Sequence, residues 1–159
     1  MKRLAPVLAS ALLLLALGLP AVIHADSTVP DDRFALKGLQ QTRTIFDVRL
    51  AELDKLMFNL GLIKETFEGI NNQKVKPTMI VSLRGPAVKL FTKDQAPPEL
   101  RELLADLKKK GIRIEICSVA TRVFKVDNSQ LLPDVILVGN VLTSQIAWQN
   151  KGYALITLN

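Results

Sequence analysis

Apolar side chains recur every three or four positions between residues 51 and 70, at Leu53, Leu56, Met57, Leu60, Ile63, Phe67 and Ile70. That spacing lines one face of a helix. Just before it, Thr44-Ile45-Phe46-Asp47-Val48 is a short run rich in β-formers. After it, Lys76-Pro77 is expected to break the chain, and Thr78 to Leu83 reads as a nearly continuous apolar strand. Gly85-Pro86 opens a short helix that reaches Phe91, since Pro suits a first helical turn. Pro97-Pro98 opens another, with Leu100, Leu103, Leu104 and Leu107 at helical spacing and Gly111 as its cap. Ile112 to Ile116 is a third strand, in which Ile alternates with Arg113 and Glu115. Cys117 to Lys125 turns into a helix. Pro133 breaks the chain again, and Val135 to Val138 forms a fourth strand. Gly139-Asn140 leads into a helix through Asn150, Lys151-Gly152 caps it, and Tyr153 to Leu158 is the last strand.

Strands alternating with helices predict the α/β class: a three-layer, five-stranded, mainly parallel sheet with helices on both faces. The apolar strands 78–83 and 135–138 suit central positions covered on both sides. The alternating strand 112–116 suits a place nearer an edge or an oligomer contact. Residues 42–159 make up this domain. Residues 26–41 form a polar extension with Pro30 and Gly38, which Phe34, Leu36 and Leu39 are expected to pin to the surface.

Residues 1–25 have a different pattern. Met1-Lys2-Arg3 is basic, Leu4 to Leu19 is almost unbroken apolar sequence, and Pro20 is followed by Ala21-Val22-Ile23-His24-Ala25. Basic, apolar and small segments in that order read as a cleavable secretory signal, with Ala25 the last residue removed. The apolar run is shorter than the roughly 20 residues of a spanning helix, and no later stretch is long and apolar enough. The protein is therefore expected in the periplasm or otherwise exported, with no stable membrane insertion after cleavage.

Cleavage changes the chemistry available. The leader contains two basic residues and the chain's only histidine, His24. The remaining 134 residues of the 159 carry a net charge of +4, enough chain for one domain. Without histidine, Ser–His and Cys–His dyads and His-ligated metal sites are excluded, and no metal site or cofactor is expected. The basic run Lys108-Lys109-Lys110 closes a helix, where lysines complement the dipole. Aromatics are few and not interleaved with basic residues, which disfavours nucleic-acid binding. One cysteine, Cys117, remains. It is either a buried core residue or a reactive thiol.

Open α/β sheets bind ligands at the carboxyl ends of their strands. Those ends are Asp47-Val48-Arg49, Ser82-Leu83-Arg84-Gly85-Pro86, Cys117-Ser118 and Gly139-Asn140. Cys117 falls between a strand and the following helix, where unpaired N–H groups and the positive dipole end favour a thiolate. Arg84, at a neighbouring strand end, and Arg122, about a turn into the helix, are the two candidates to pair with an anionic sulfur or an oxyanion. Gly85, Ser118 and Asn140 complete the candidate lining. No G-x-G-x-x-G follows the first strand and no Walker-type loop occurs, which argues against a nucleotide or flavin site. Trp148 and Tyr153 read as packing or interface residues.

Several stretches together resemble the DsrE/DsrF-like family of small sulfur-relay proteins. They are Ile45-Phe46-Asp47-Val48 with Leu56-Met57-Phe58-Asn59-Leu60-Gly61-Leu62-Ile63, then Val81-Ser82-Leu83-Arg84-Gly85-Pro86-Ala87, then Ile114-Glu115-Ile116-Cys117-Ser118-Val119-Ala120-Thr121-Arg122. Val138-Gly139-Asn140 and Gly152-Tyr153-Ala154-Leu155 add to them. The resemblance implies a five-stranded α/β fold that assembles into homo-trimers or homo-hexamers. It also implies a cysteine, matching Cys117, that carries sulfur as a persulfide between donor and acceptor proteins or small sulfane-sulfur compounds. The competing expectation is a non-catalytic oligomeric binding module in which Cys117 is structural.

Overall fold

Alternation along β-strands sends successive side chains to opposite faces, and in this chain the two faces differ in chemistry. The computed structural model describes residues 30–159. The leader expected at 1–25 and the start of the extension lie outside the described residues. Five strands, β1 (Gln41–Val48), β2 (Lys76–Leu83), β3 (Arg113–Cys117), β4 (Ile136–Val138) and β5 (Ala154–Leu158), form one sheet in the order β4-β3-β2-β1-β5. Every pairing is parallel. The helices are α1 (Arg33–Leu36), α2 (Leu53–Asn72), α3 (Pro98–Lys109), α4 (Ser118–Val123) and α5 (Val141–Gln149), with a 3-10 segment at Gly85–Phe91.

One face of the sheet is apolar. Phe46 and Val48 of β1, Met79, Val81 and Leu83 of β2, and Ile114 and Ile116 of β3 belong to a single buried cluster. Leu56, Leu60 and Ile63 of α2 and Leu100, Leu104 and Leu107 of α3 complete it. These are the positions at which the helical periodicity placed the apolar stripes.

The other face carries a polar row. Asp47 is in register with Ser82, and Ser82 with Glu115. All three are buried, at 3%, 0% and 1% exposure. Helix α5 lies over this row. Gln145 Nε2 donates to Asp47 Oδ1 at 3.1 Å, while Ser144 Oγ and Trp148 Nε1 donate to the Glu115 carboxylate at 2.5 and 3.3 Å.

Four expectations are corrected. Strand β3 lies between β2 and β4, not at an edge. Its alternation marks two covered faces, and Glu115 is met by hydrogen bonds rather than by water. Strand β4 is an edge strand of three residues with Ile136 and Leu137 partly open to solvent. It is the last strand laid down in one direction before the chain returns to place β5 beside β1. Pro77 lies inside β2 instead of breaking it. It pairs with Thr42 of β1 at a level where β3 has not yet joined, so a missing N–H is tolerated there. The extension is not pinned by Phe34, which is 95% exposed. It is tied by the Asp32 N–H, which donates to Gln73 Oε1 at 3.1 Å, and β1 already begins at Gln41. No helix among the described residues is long and apolar enough to cross a membrane.

The two layers make a test of centre against edge. Leu60→Ala, at a fully buried site, is expected to lower unfolding free energy by about 2–5 kcal/mol. Ile136→Ala on the open edge should cost about 1 kcal/mol or less. Urea titration followed by circular dichroism measures both.

Candidate functional site

The chain order reverses between β1 and β5, the place where an open sheet usually receives its ligand. Here Arg49 Nη2 donates to Asn159 Oδ1 at 2.6 Å and bridges the ends of these two strands. The pocket that contains Cys117 lies instead beyond β2, β3 and β4. It has a volume of about 230 Å³. The strand ends supply Arg84, Gly85, Cys117 and Asn140. Helix α4 and the residue after it supply Val119, Ala120, Val123 and Phe124, and α5 supplies Leu142.

Cys117 stands where the strand–helix alternation placed it, at the last residue of β3, and is 4% exposed. The helix that serves it is not the one expected. Helix α4 has six residues, too short to build up much dipole, and Cys117 makes no side-chain capping bond to it. The sulfur instead accepts a hydrogen bond from the Val141 N–H at 3.4 Å. Val141 is the first residue of α5, which has nine. The next N–H of that helix, from Leu142, goes to Asn140 Oδ1 at 2.9 Å. Two of the four N–H groups that a helix start leaves unpaired are thus taken by Cys117 and Asn140.

Arg84 leaves the end of β2 and turns toward Asp47. Its Nε donates to Asp47 Oδ1 at 2.7 Å and its Nη2 to Oδ2 at 2.8 Å, a planar two-point pair. Burial by itself would raise the Asp47 carboxyl. The hydrogen bonds from Arg84 and Gln145, with the charges of Arg84 and Arg49, outweigh it and hold the carboxyl below its ordinary value. The hydrogen bonds to Asp47 hold the Arg84 guanidinium above its usual basicity, and negative charge on Cys117 acts in the same direction. A guanidinium has five N–H donors, so those not engaged by Asp47 remain for the pocket. Gly85 follows at φ +63°, a left-handed conformation that lets the chain leave β2 and enter the 3-10 segment.

The structure brings together Cys117, Arg84, Gly85 and Asn140, and it leaves Ser118 and Arg122 out of the pocket lining. The Ser118 carbonyl accepts from Thr121 Oγ1 at 3.0 Å, and Arg122 is exposed on α4. Trp148 and Tyr153 pack on each other with ring centroids 5.0 Å apart. Sequence reasoning missed Gln145 and treated Asp47 as one strand end among several. The signal was a carboxylate inside an otherwise apolar strand, which has to find a partner. The apolar walls had no chemical signal at all. Among the described residues no three His, Cys, Asp or Glu side chains gather so as to hold a metal ion.

A model of the DsrE/DsrF-like family matches residues 44–158, nearly the whole sheet. The chain belongs to that family. Two solved structures of similar fold are a protein of unknown function, MTH1491, from Methanobacterium thermoautotrophicum and the ychN protein from E. coli. The first is 17% identical with a TM-score of 0.63, the second 17% identical with a TM-score of 0.60. Each comparison covers 73% of this chain and 98% of the other. At that identity the likeness shows the fold. No curated protein matches.

In this DsrE/DsrF-like domain the Asp47–Arg84 pair should govern acid stability. Above the ordinary carboxylate value of 3.8, Asp47 is ionised in both folded and unfolded chains, and the pair stabilises in full. As pH falls below that value the unfolded chain takes up a proton that the folded chain resists, so the contribution is lost as pH falls through the lowered folded value. Asp47→Asn is expected to cost about 1–3 kcal/mol at neutral pH. Its deficit against the parent should shrink below about pH 4. Denaturant titrations across pH measure the difference; a deficit independent of pH would detach the pair from acid stability.

Proposed function

We propose that this DsrE/DsrF-like protein is a sulfur carrier of the periplasm or another exported location, holding a persulfide on Cys117 and passing it to a partner. Its family suggests sulfur relay. The observation that carries the reading is the company of the sulfur: a pocket shared with Arg84, and a backbone N–H from the start of α5 directed at Sγ. An anionic sulfur there meets a hydrogen-bond donor and a fixed positive charge.

The chemistry needs no other protein nucleophile. The Cys117 thiolate attacks the outer sulfur of a donor such as thiosulfate, the donor S–S bond breaks, and sulfite leaves with the electron pair. The protein-bound product is Cys117–S–S⁻. An acceptor thiolate then attacks the outer sulfur, and the Cys117 thiolate is the leaving group. Whether this amounts to sulfurtransferase turnover depends on the acceptor. The burial of Cys117 favours a second reading, a binding module with a structural cysteine.

Intact mass after incubation with thiosulfate or polysulfide decides between them. The exported protein should have the mass of a chain beginning at Asp26, gain sulfur that a reductant removes, and lose that gain in Cys117→Ser. A thiol that gains nothing from any donor and resists alkylation until unfolding would overturn the carrier reading.

Assembly as a homo-trimer or homo-hexamer is part of the same proposal. Edge strand β5 has Leu155 and Ile156 partly open, and α5 has Ile146 61% exposed. Sedimentation equilibrium should give a multiple of the protomer mass, and Ile156→Asp should lower it. A monomer at micromolar concentration would rule the assembly out.

A further inference from the structure

The pocket around Cys117 has room for more than a small inorganic dianion. Its volume, about 230 Å³, is that of roughly eight liquid waters. Thiosulfate, with five heavy atoms, would leave the helical wall wet. The lining also supplies little for a doubly charged ion. Arg84 is the only charged side chain in the lining, and it is already shared with Asp47. The Asn140 carbonyl oxygen is engaged in capping α5. The remaining wall is apolar, made by Val119, Val123, Phe124 and Leu142.

Val123 and Leu142 are 63% and 48% exposed. Large apolar side chains held open beside a reactive group are surface that a ligand can cover. We propose that the pocket takes an organic sulfane-sulfur donor with a single negative charge on its sulfur head and a short apolar tail, the head meeting Arg84 and the tail lying on Val123, Phe124 and Leu142. This rests on the carrier reading and adds the class of donor. With a thiosulfonate as donor, the Cys117 thiolate attacks the terminal sulfur and the S–S bond breaks. The sulfinate leaves with the electron pair, so charge and sulfur balance with no added oxidant or reductant.

The test compares methanethiosulfonate and benzenethiosulfonate, which have the same head and different tails. Single-turnover persulfide formation is measured by intact mass, and each rate is divided by that of a small free thiol with the same donor. The corrected preference for the benzene donor should be about tenfold or more. Val123→Ser and Leu142→Ser, both at exposed positions, should each reduce it severalfold, with circular dichroism checking that each variant is folded. Persulfide formation with no corrected preference, or a preference untouched by both substitutions, overturns the inference and leaves the carrier reading standing. Persulfide formation with thiosulfate or polysulfide but with neither thiosulfonate overturns the inference alone, and failure with all four donors overturns both.

Discussion

Asp47 places a negative charge in the middle of a parallel sheet, on a strand flanked on both sides. A charge there has to be met, because an unpaired carboxylate at that depth would destabilise the domain about as much as the loss of a core side chain. It is met from two directions. Arg84 comes from the end of β2 and Gln145 from α5. The pair therefore fixes the guanidinium at the rim of the pocket and α5 on the sheet at the same time.

Seating α5 has a second effect. The helix is held along the polar row through Gln145, Ser144 and Trp148. Its first N–H then arrives at the Cys117 sulfur. The hydrogen bonds that satisfy Asp47 and Glu115 are thus the same ones that determine what surrounds the thiol. The apolar face, packed by α2 and α3, supplies the bulk of the core, and Cys117 and Val141 belong to the same buried cluster.

The elements were largely legible from the chain. The leucine spacing in α2 and α3 and the β-rich run at 44–48 each gave the right structure, because local periodicity and burial agree there. Cys117 at a strand end followed from the same alternation. What the chain did not reveal depends on strand order and on pairing across distance. Residues 112–116 and 135–138 were placed the wrong way round, since a buried Glu115 and an exposed Ile136 invert the usual relation between polarity and depth. The donor to the sulfur was assigned to α4, the neighbour in sequence, whereas the neighbour in space is α5. Arg122 looked as suitable as Arg84 until the direction of α4 was known.

The partner of the sulfur lies 24 residues further along the chain than Cys117. Nothing local to the cysteine reproduces that contact. In the unfolded chain the thiol has no helix start against it and no guanidinium nearby. The surroundings that distinguish this thiol come into being only when α5 lies over the sheet. The setting of the thiol is in this sense a property of the finished fold and not of the stretch of chain around it.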